Sequence, residues 1–368
     1  MTDKTNYLVT IQPIDRYFFG TEKGFLPADG SKSNYLVRSS KLPQQTTLLG
    51  MLRYALLKKL IQIVPVGSSK LTNDELVGSS SFNANAETSF GIIDSISPLI
   101  LMKGEESLIP AGFDKQFYKD AEKKVIEFSF EEDNAGQFHL INDKNTIPKI
   151  KEYDHKQNNK LNWQNLIGAI VDEDIIFGIC SQAGNKKNGE SLEDAFYRQD
   201  YCYLKEDFKM GMYVSLNEAI EDGSFLGFLG GDGSEFKFTF KKIENPHFPL
   251  FEIQSDEEID DEANYKLTLL SDSKIEQSQL NTVQFAINRI VEFRHLNTTS
   301  TITNWSQINT KSNESNEKMI TKSKKIFLHE KGSVFYIKGN KLLEFTKYLK
   351  NQKAFRTIGF NYYKTEKI

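Results

Sequence analysis

Hydrophobic positions along the chain follow two periods, and each predicts its own elements. NYLVTIQPI (6–14) reads as an opening strand, and an aromatic loop, IDRYFFGTEKGF, follows it. In TTLLGMLRYALLKKLIQIV (46–64), Leu48, Leu52, Leu56 and Leu60 recur at helical spacing. Thr46 or Thr47 can cap this helix and Pro65 ends it. GIIDSISPLILM (91–102), DIIFGIC (174–180), AFYRQDYCYL (195–204) and KMGMYVSL (209–216) predict strands, and WQNLIGAI (163–170) a short helix. In EFKFTF, Phe236, Phe238 and Phe240 alternate with Glu235, Lys237 and Thr239, the period of a half-buried strand. Farther on, YKLTLL (265–270), GSVFYI (332–337) and FNYYK (360–364) predict strands and NKLLEFTKYLK (340–350) a helix. Strand–helix–strand units with hairpins between them fit an α+β fold better than a doubly wound sheet. No repeat is visible in the letters.

At 368 residues and 39% apolar content, about two domains can each bury a core. The opening residues lack the apolar run of a signal peptide and no segment approaches a membrane span, so a cytoplasmic protein is expected. Two cysteines, Cys180 and Cys202, exclude a disulfide scaffold, and no histidine shows metal-ligand spacing. Neither a metal nor a cofactor is expected.

The formal charge of −4 conceals an asymmetry. Residues 263–368 carry 18 basic and 8 acidic side chains, whereas 1–262 carry 28 and 42. Seven of those acids fall in FEIQSDEEIDDE (251–262), which marks a boundary. The division expected is an N-terminal domain over 1–245, an acidic linker over 246–262 and a C-terminal domain over 263–368. The basic C-terminal third suits a polyanionic partner. Arginine is scarce, seven against 39 lysines, and its planar fork makes each one informative for phosphate.

Three constellations carry candidate chemistry. Thr46, Gly50 and Arg53, spaced i, i+4 and i+7, share one helix face apart from the leucines. A hydroxyl, a glycine open to close approach and an arginine form a phosphate track there, unless Thr46 is merely a cap. The second is Gly227–Gly233, which joins two strands and so lacks the strand–turn–helix context of a nucleotide fingerprint. Gly230-Gly231-Asp232 resembles a palm hairpin, but no second acidic motif accompanies it for two-metal catalysis. Its bare amides suit a phosphate backbone instead. The third is the turn Asn185-Lys186-Lys187-Asn188-Gly189, followed by Arg198: a basic hairpin arm or an ordinary exposed turn.

The segments Pro13-Ile14-Asp15, Thr46–Arg53, PLILMKGEESLIPAGFD, KKNGESLEDAFYRQDYCYLKEDFKMGMYV, LGGDGSEFKFTF, YKLTLLSD, GSVFYIKG and Ile358-Gly359-Phe360 occur in an order that resembles subunit three of the Cmr (type III-B) CRISPR effector. That family belongs to the repeat-associated mysterious protein (RAMP) superfamily. Residues 66–90, 114–160 and 275–330 contribute nothing to the likeness. The resemblance implies two ferredoxin-like, RRM-related domains with Gly-rich loops and a β-hairpin thumb insertion. It implies binding of the 5′ tag of the crRNA, with the large polymerase/cyclase-like subunit and the backbone RAMP subunits as neighbours, target RNA met only indirectly, and no membrane. By position, Thr46, Thr47, Gly50, Arg53, Gly230, Gly231 and Gly233 would line the tag. Lys186, Lys187 and Arg198 would belong to the thumb, and Arg356 and Gly359 to the second domain's Gly-rich loop. A non-catalytic subunit is expected; the rival is a metal-independent RAMP endoribonuclease that cuts repeat RNA with a positioned acid and base. A small-nucleotide site at Gly230–Gly233 is a third reading.

Overall fold

The computed structural model describes residues 4–20, 24–25, 35–37, 39–58, 60–61, 63, 71–117, 125–127, 129–132, 138–141, 171–179, 196–230, 233–244, 259–299 and 319–368. The opening strand Thr5–Pro13 lies inside a seven-stranded sheet, antiparallel to Phe208–Leu216 on one side and to Ser234–Ile243 on the other. Gly223–Leu229 forms the edge beyond Ser234–Ile243. On the far side Phe208–Leu216 accepts both Ile93–Ile96 and Ile100–Lys103, and Glu106–Leu108 pairs last. One apolar run thus splits into two strands, because Pro98 interrupts the ladder. Ser97 spans the break, its N–H donating to the Tyr213 carbonyl and its hydroxyl accepting from the Tyr213 N–H.

Strand alternation decides which face is buried. Val9, Met212 and Phe240 stand opposite one another, as do Ile11, Met210 and Phe238, and all six are buried. The intervening Glu235 and Lys237 are exposed, as the sequence pattern requires. The helix Gln45–Leu57 adds Leu48, Leu52, Ala55 and Leu56 to the same core. Each such leucine contributes about 1.5–3 kcal/mol by leaving water.

This helix departs from expectation at both ends. Its N-cap is Gln44, which makes no side-chain cap, so neither Thr46 nor Thr47 caps it. It stops at Leu57 rather than near Pro65 because Ile61 turns into the core and Ile63 bridges to Ile220. Helical continuation would forfeit both contacts. Leu60, expected on the buried stripe, is exposed.

The C-terminal sheet has four antiparallel strands in the order Phe285–Ile287, Val334–Lys338, Asn264–Leu269, Tyr363–Lys367. Numbered along the chain, that order is 2-3-1-4. The central strands of the first sheet lie in the same order: Ile93–Lys103, Phe208–Leu216, Thr5–Pro13, Ser234–Ile243. The two halves therefore repeat a topology that no repeated letters announce. The helix Gly339–Asn351 covers the second sheet with Leu342, Phe345 and Leu349. The last strand begins at Tyr363, three residues later than expected, because Gly359 and Asn361 take left-handed backbone and Phe360 is buried in the first core.

Fold class is thus mixed α/β with mostly antiparallel sheets. Sheet pairing separates the halves, but the apolar core does not. Phe293, Leu328, Phe355 and Phe360 of the C-terminal half belong to the core built on the first sheet. Phe82 packs edge-on against Phe355 at 5.4 Å and Phe293 against Phe360 at 5.2 Å, so an aromatic cluster joins the two. Of the acidic tract, only 259–262 falls among the described residues; there Asp260 pairs with Lys367 at 2.8 Å. Val171–Ile179 and Phe196–Leu204 form a nine-rung antiparallel pair. The turn bearing Lys186 and Lys187, the expected helix 163–170, and Gly231 lie outside the described residues. Among the described residues no helix is long and apolar enough to cross a membrane.

Candidate nucleic-acid interface

The shared aromatic cluster holds the strand Ile290–Phe293 and its continuation, Arg294 and His295, across from the first helix. Between them runs a groove of about 890 Å³. One wall is the helix face carrying Thr46, Thr47, Gly50 and Arg53, with Gly230 beside it. The opposite wall is Glu292, Arg294, His295 and Leu296. The i, i+4, i+7 face expected from the sequence is therefore turned to the groove, while the leucines of the same helix fill the core.

Gly50 is exposed, and a Cβ built there meets nothing within 4 Å. Its glycine identity serves no packing purpose in the fold. Gly50→Ala is accordingly expected to raise stability by about 1 kcal/mol, the helix-propensity difference, read as a higher denaturation midpoint. A lower midpoint would mean that the position is closed. Gly230 differs: its φ is +89°, and a Cβ would come within 2.7 Å of the Phe18 carbonyl oxygen. Only glycine brings the end of the edge strand this close to the aromatic loop. Gly233 is also left-handed but has open space around it.

Arg53 is partly committed to structure. Its Nη1 donates to the Ser80 carbonyl (3.1 Å) and its Nη2 to the Gly78 carbonyl (2.9 Å), which ties the 78–80 turn to the helix. Burial pushes its pKa below the usual guanidinium value. A guanidinium has five donors, so these two bonds do not exhaust it. Glu292, the acid in the wall, is ion-paired to Lys325, which offsets its repulsion of an anion. Of the aromatic side chains lining the groove, Phe228 is 50% exposed and Tyr54 39% exposed.

Arg356 and Gly359 do not line this groove. The Arg356 guanidinium stacks 4.3 Å above the Tyr362 ring and donates to the Asn361 carbonyl. Gly359 lies buried against Gln45 and Ser97 at the joint between the halves. Arg198 sits mid-hairpin, its backbone opposite Phe177 and Leu36. The structure thus gathers Thr46, Thr47, Gly50, Arg53 and Gly230, and leaves Arg356 and Gly359 elsewhere.

Sequence reasoning did not place Tyr54, Phe82, Phe228, Arg294 or His295 at the site. Phe228 had a usable signal, as the outward member of an alternating strand at the sheet edge. Arg294 had only the scarcity of arginine to mark it and His295 had no signal, since both reach the groove through the packing of distant aromatics.

The family model described as CRISPR-associated protein (Cas_Cmr3) matches residues 9–364. No curated protein matches the sequence. A chain from the cryo-EM structure of the type III-B Cmr-β complex bound to cognate target RNA aligns with a TM-score of 0.45 and 14% identity, covering 98% of this chain and 99% of that one. A chain of the Csm3–Csm4 subcomplex of the type III-A CRISPR–Cas interference complex aligns with a TM-score of 0.35 and 13% identity, covering 91% and 97%.

Proposed function

Because the chain belongs to the CRISPR-associated Cas_Cmr3 family and is thus a RAMP-type subunit of a type III CRISPR effector, we propose that its groove holds the 5′ tag of the crRNA without cutting it. In this reading the protein joins the large polymerase/cyclase-like subunit to the backbone RAMP subunits. The two sheets of matching strand order are its ferredoxin-like domains, and the hairpin Val171–Ile179/Phe196–Leu204 is the thumb. One observation carries the proposal: a continuous groove places the hydroxyls of Thr46 and Thr47, the bare Gly50 surface and Arg53 opposite Arg294 and His295. Hydroxyls and a guanidinium fork suit ribose and phosphate, while Phe228 and Tyr54 offer faces on which unstacked bases can rest.

Gly50→Glu tests it, because the position is open and the fold tolerates a side chain there. A carboxylate in the groove should weaken binding of single-stranded tag RNA at least tenfold, with a melting temperature no lower than that of the wild type. Wild-type affinity in that variant would rule the groove out. Repeat RNA incubated with the protein in EDTA should stay intact; specific cleavage would favour the endoribonuclease instead.

A further inference from the structure

The large groove does not end at His295. On the other side of the Phe82–His295 contact (ring centroids 5.1 Å apart, 81° between planes) opens a second cavity of about 540 Å³, within the range that holds a nucleotide-sized ligand. His295, Phe82 and Ser81 line both. None of the described residues lining the second cavity is acidic, in a chain with 50 carboxylates. Lys274 and Lys324 are its cations, and serine, threonine and asparagine side chains supply most of the rest. That composition accepts an anion with polar substituents and sets no described carboxylate against it.

Two buried atoms also point to a ligand. His295 is 6% exposed, yet its Nδ1 has no hydrogen-bond partner among the described residues. The same holds for the Thr88 hydroxyl. A buried polar atom without a partner is costly, so it marks a place where a partner arrives. Burial lowers the imidazole pKa, and hydrogen bonds of the ring with the Leu296 and Phe82 backbone only partly oppose this. The ring is therefore neutral at physiological pH, able to accept from a ribose hydroxyl or donate to a base carbonyl.

We propose that this cavity is a second nucleotide subsite: the strand in the large groove turns at His295 and places one phosphorylated nucleoside beyond Phe82. His295 Nδ1 hydrogen-bonds its sugar or base, and Lys274 and Lys324 hold its phosphate. The inference rests on the groove being an RNA site.

The test uses the full chain, a short single-stranded tag RNA and a salt titration. Lys274→Ala/Lys324→Ala should weaken binding and flatten the slope of log affinity against log salt by about 0.7 for each lost phosphate contact. The Lys274→Arg/Lys324→Arg pair should restore the slope. His295→Phe keeps a ring beside Phe82 but removes both nitrogens; affinity should fall about tenfold with the slope unchanged. Lys341→Ala, on an exposed helix position, is the control and should change neither. If Gly50→Glu loses RNA while the lysine pair keeps wild-type affinity and slope, the second subsite is overturned and the groove stands. If all variants bind normally, both are overturned. AMP that stabilises the wild type through Lys274 and Lys324 without competing with RNA would assign the cavity to a free nucleotide and overturn the turning strand.

Discussion

Gly359→Ala is expected to cost about 3 kcal/mol or more, a large share of the total stability of a typical folded chain. Two effects add. The φ of +89° is a conformation that a Cβ disfavours by about 1–2 kcal/mol. The added methyl would also stand 1.8 Å from Gln45 Nε2 and 2.5 Å from the Ser97 carbonyl oxygen. Those atoms are hydrogen-bonded to each other at 2.9 Å, so neither yields without breaking a buried bond between the first helix and the first sheet. Overpacking of this kind adds about 1–3 kcal/mol. Gln45→Ala/Gly359→Ala would remove the contact with Gln45 but leave the contact with the Ser97 carbonyl, the backbone strain and a lost buried hydrogen bond, so little stability should return. The same experiment decides between two roles for Gly359. Loss of stability locates its work at the joint between halves; loss of RNA affinity at unchanged stability would locate it on the RNA.

Lys266→Met should have an effect of comparable size, about 3–5 kcal/mol, because it takes the counter-charge from a buried carboxylate. Lys266 is 6% exposed and pairs with the fully buried Asp114 at 3.1 Å. Asp114 lies in the N-terminal half and Lys266 on the central strand of the C-terminal sheet, so the pair fastens one to the other. Lys266 also meets Glu366 at 3.0 Å. Asp114→Asn should cost less, since Lys266 keeps Glu366 as a counter-charge. The two substitutions together should cost less than their sum, which chemical denaturation of the four proteins would read. A sum of independent losses would mean that the pair does not couple the halves.

Glu366 gives this contact a pH signature. Burial alone would raise its carboxyl pKa, but the hydrogen bonds and charges of Lys364 and Lys266 outweigh that and bring it to about 2. A depressed carboxylate contributes stability above its unfolded pKa of about 4.3 and loses it as pH falls toward 2. Wild-type stability should decline across that window, and more shallowly in Lys266→Met.

Much of the first sheet was legible from local pattern. Phe236, Phe238 and Phe240 alternate in the letters and are buried in the fold. Thr46, Gly50 and Arg53 fall on one helix face by spacing alone, and that face lines the groove. The helix end was not legible, since Leu60 continues the apolar stripe and only the bridge from Ile63 to Ile220 draws the chain away. The sequence likeness to subunit three of the Cmr effector agrees with the family match, yet it was silent over 275–330, where Arg294 and His295 complete the site.

What the letters carried by themselves were the periods: roughly where strands and helices form and which of their faces are apolar. Those are short-range properties, because a backbone repeat of two or 3.6 residues imposes them within a few positions. The tertiary structure alone decided that two unlike halves share a strand order, that Phe82 meets Phe293, Phe355 and Phe360, and that two cavities adjoin at His295. Contacts between residues hundreds of positions apart depend on how whole surfaces fit, and no local period records that fit.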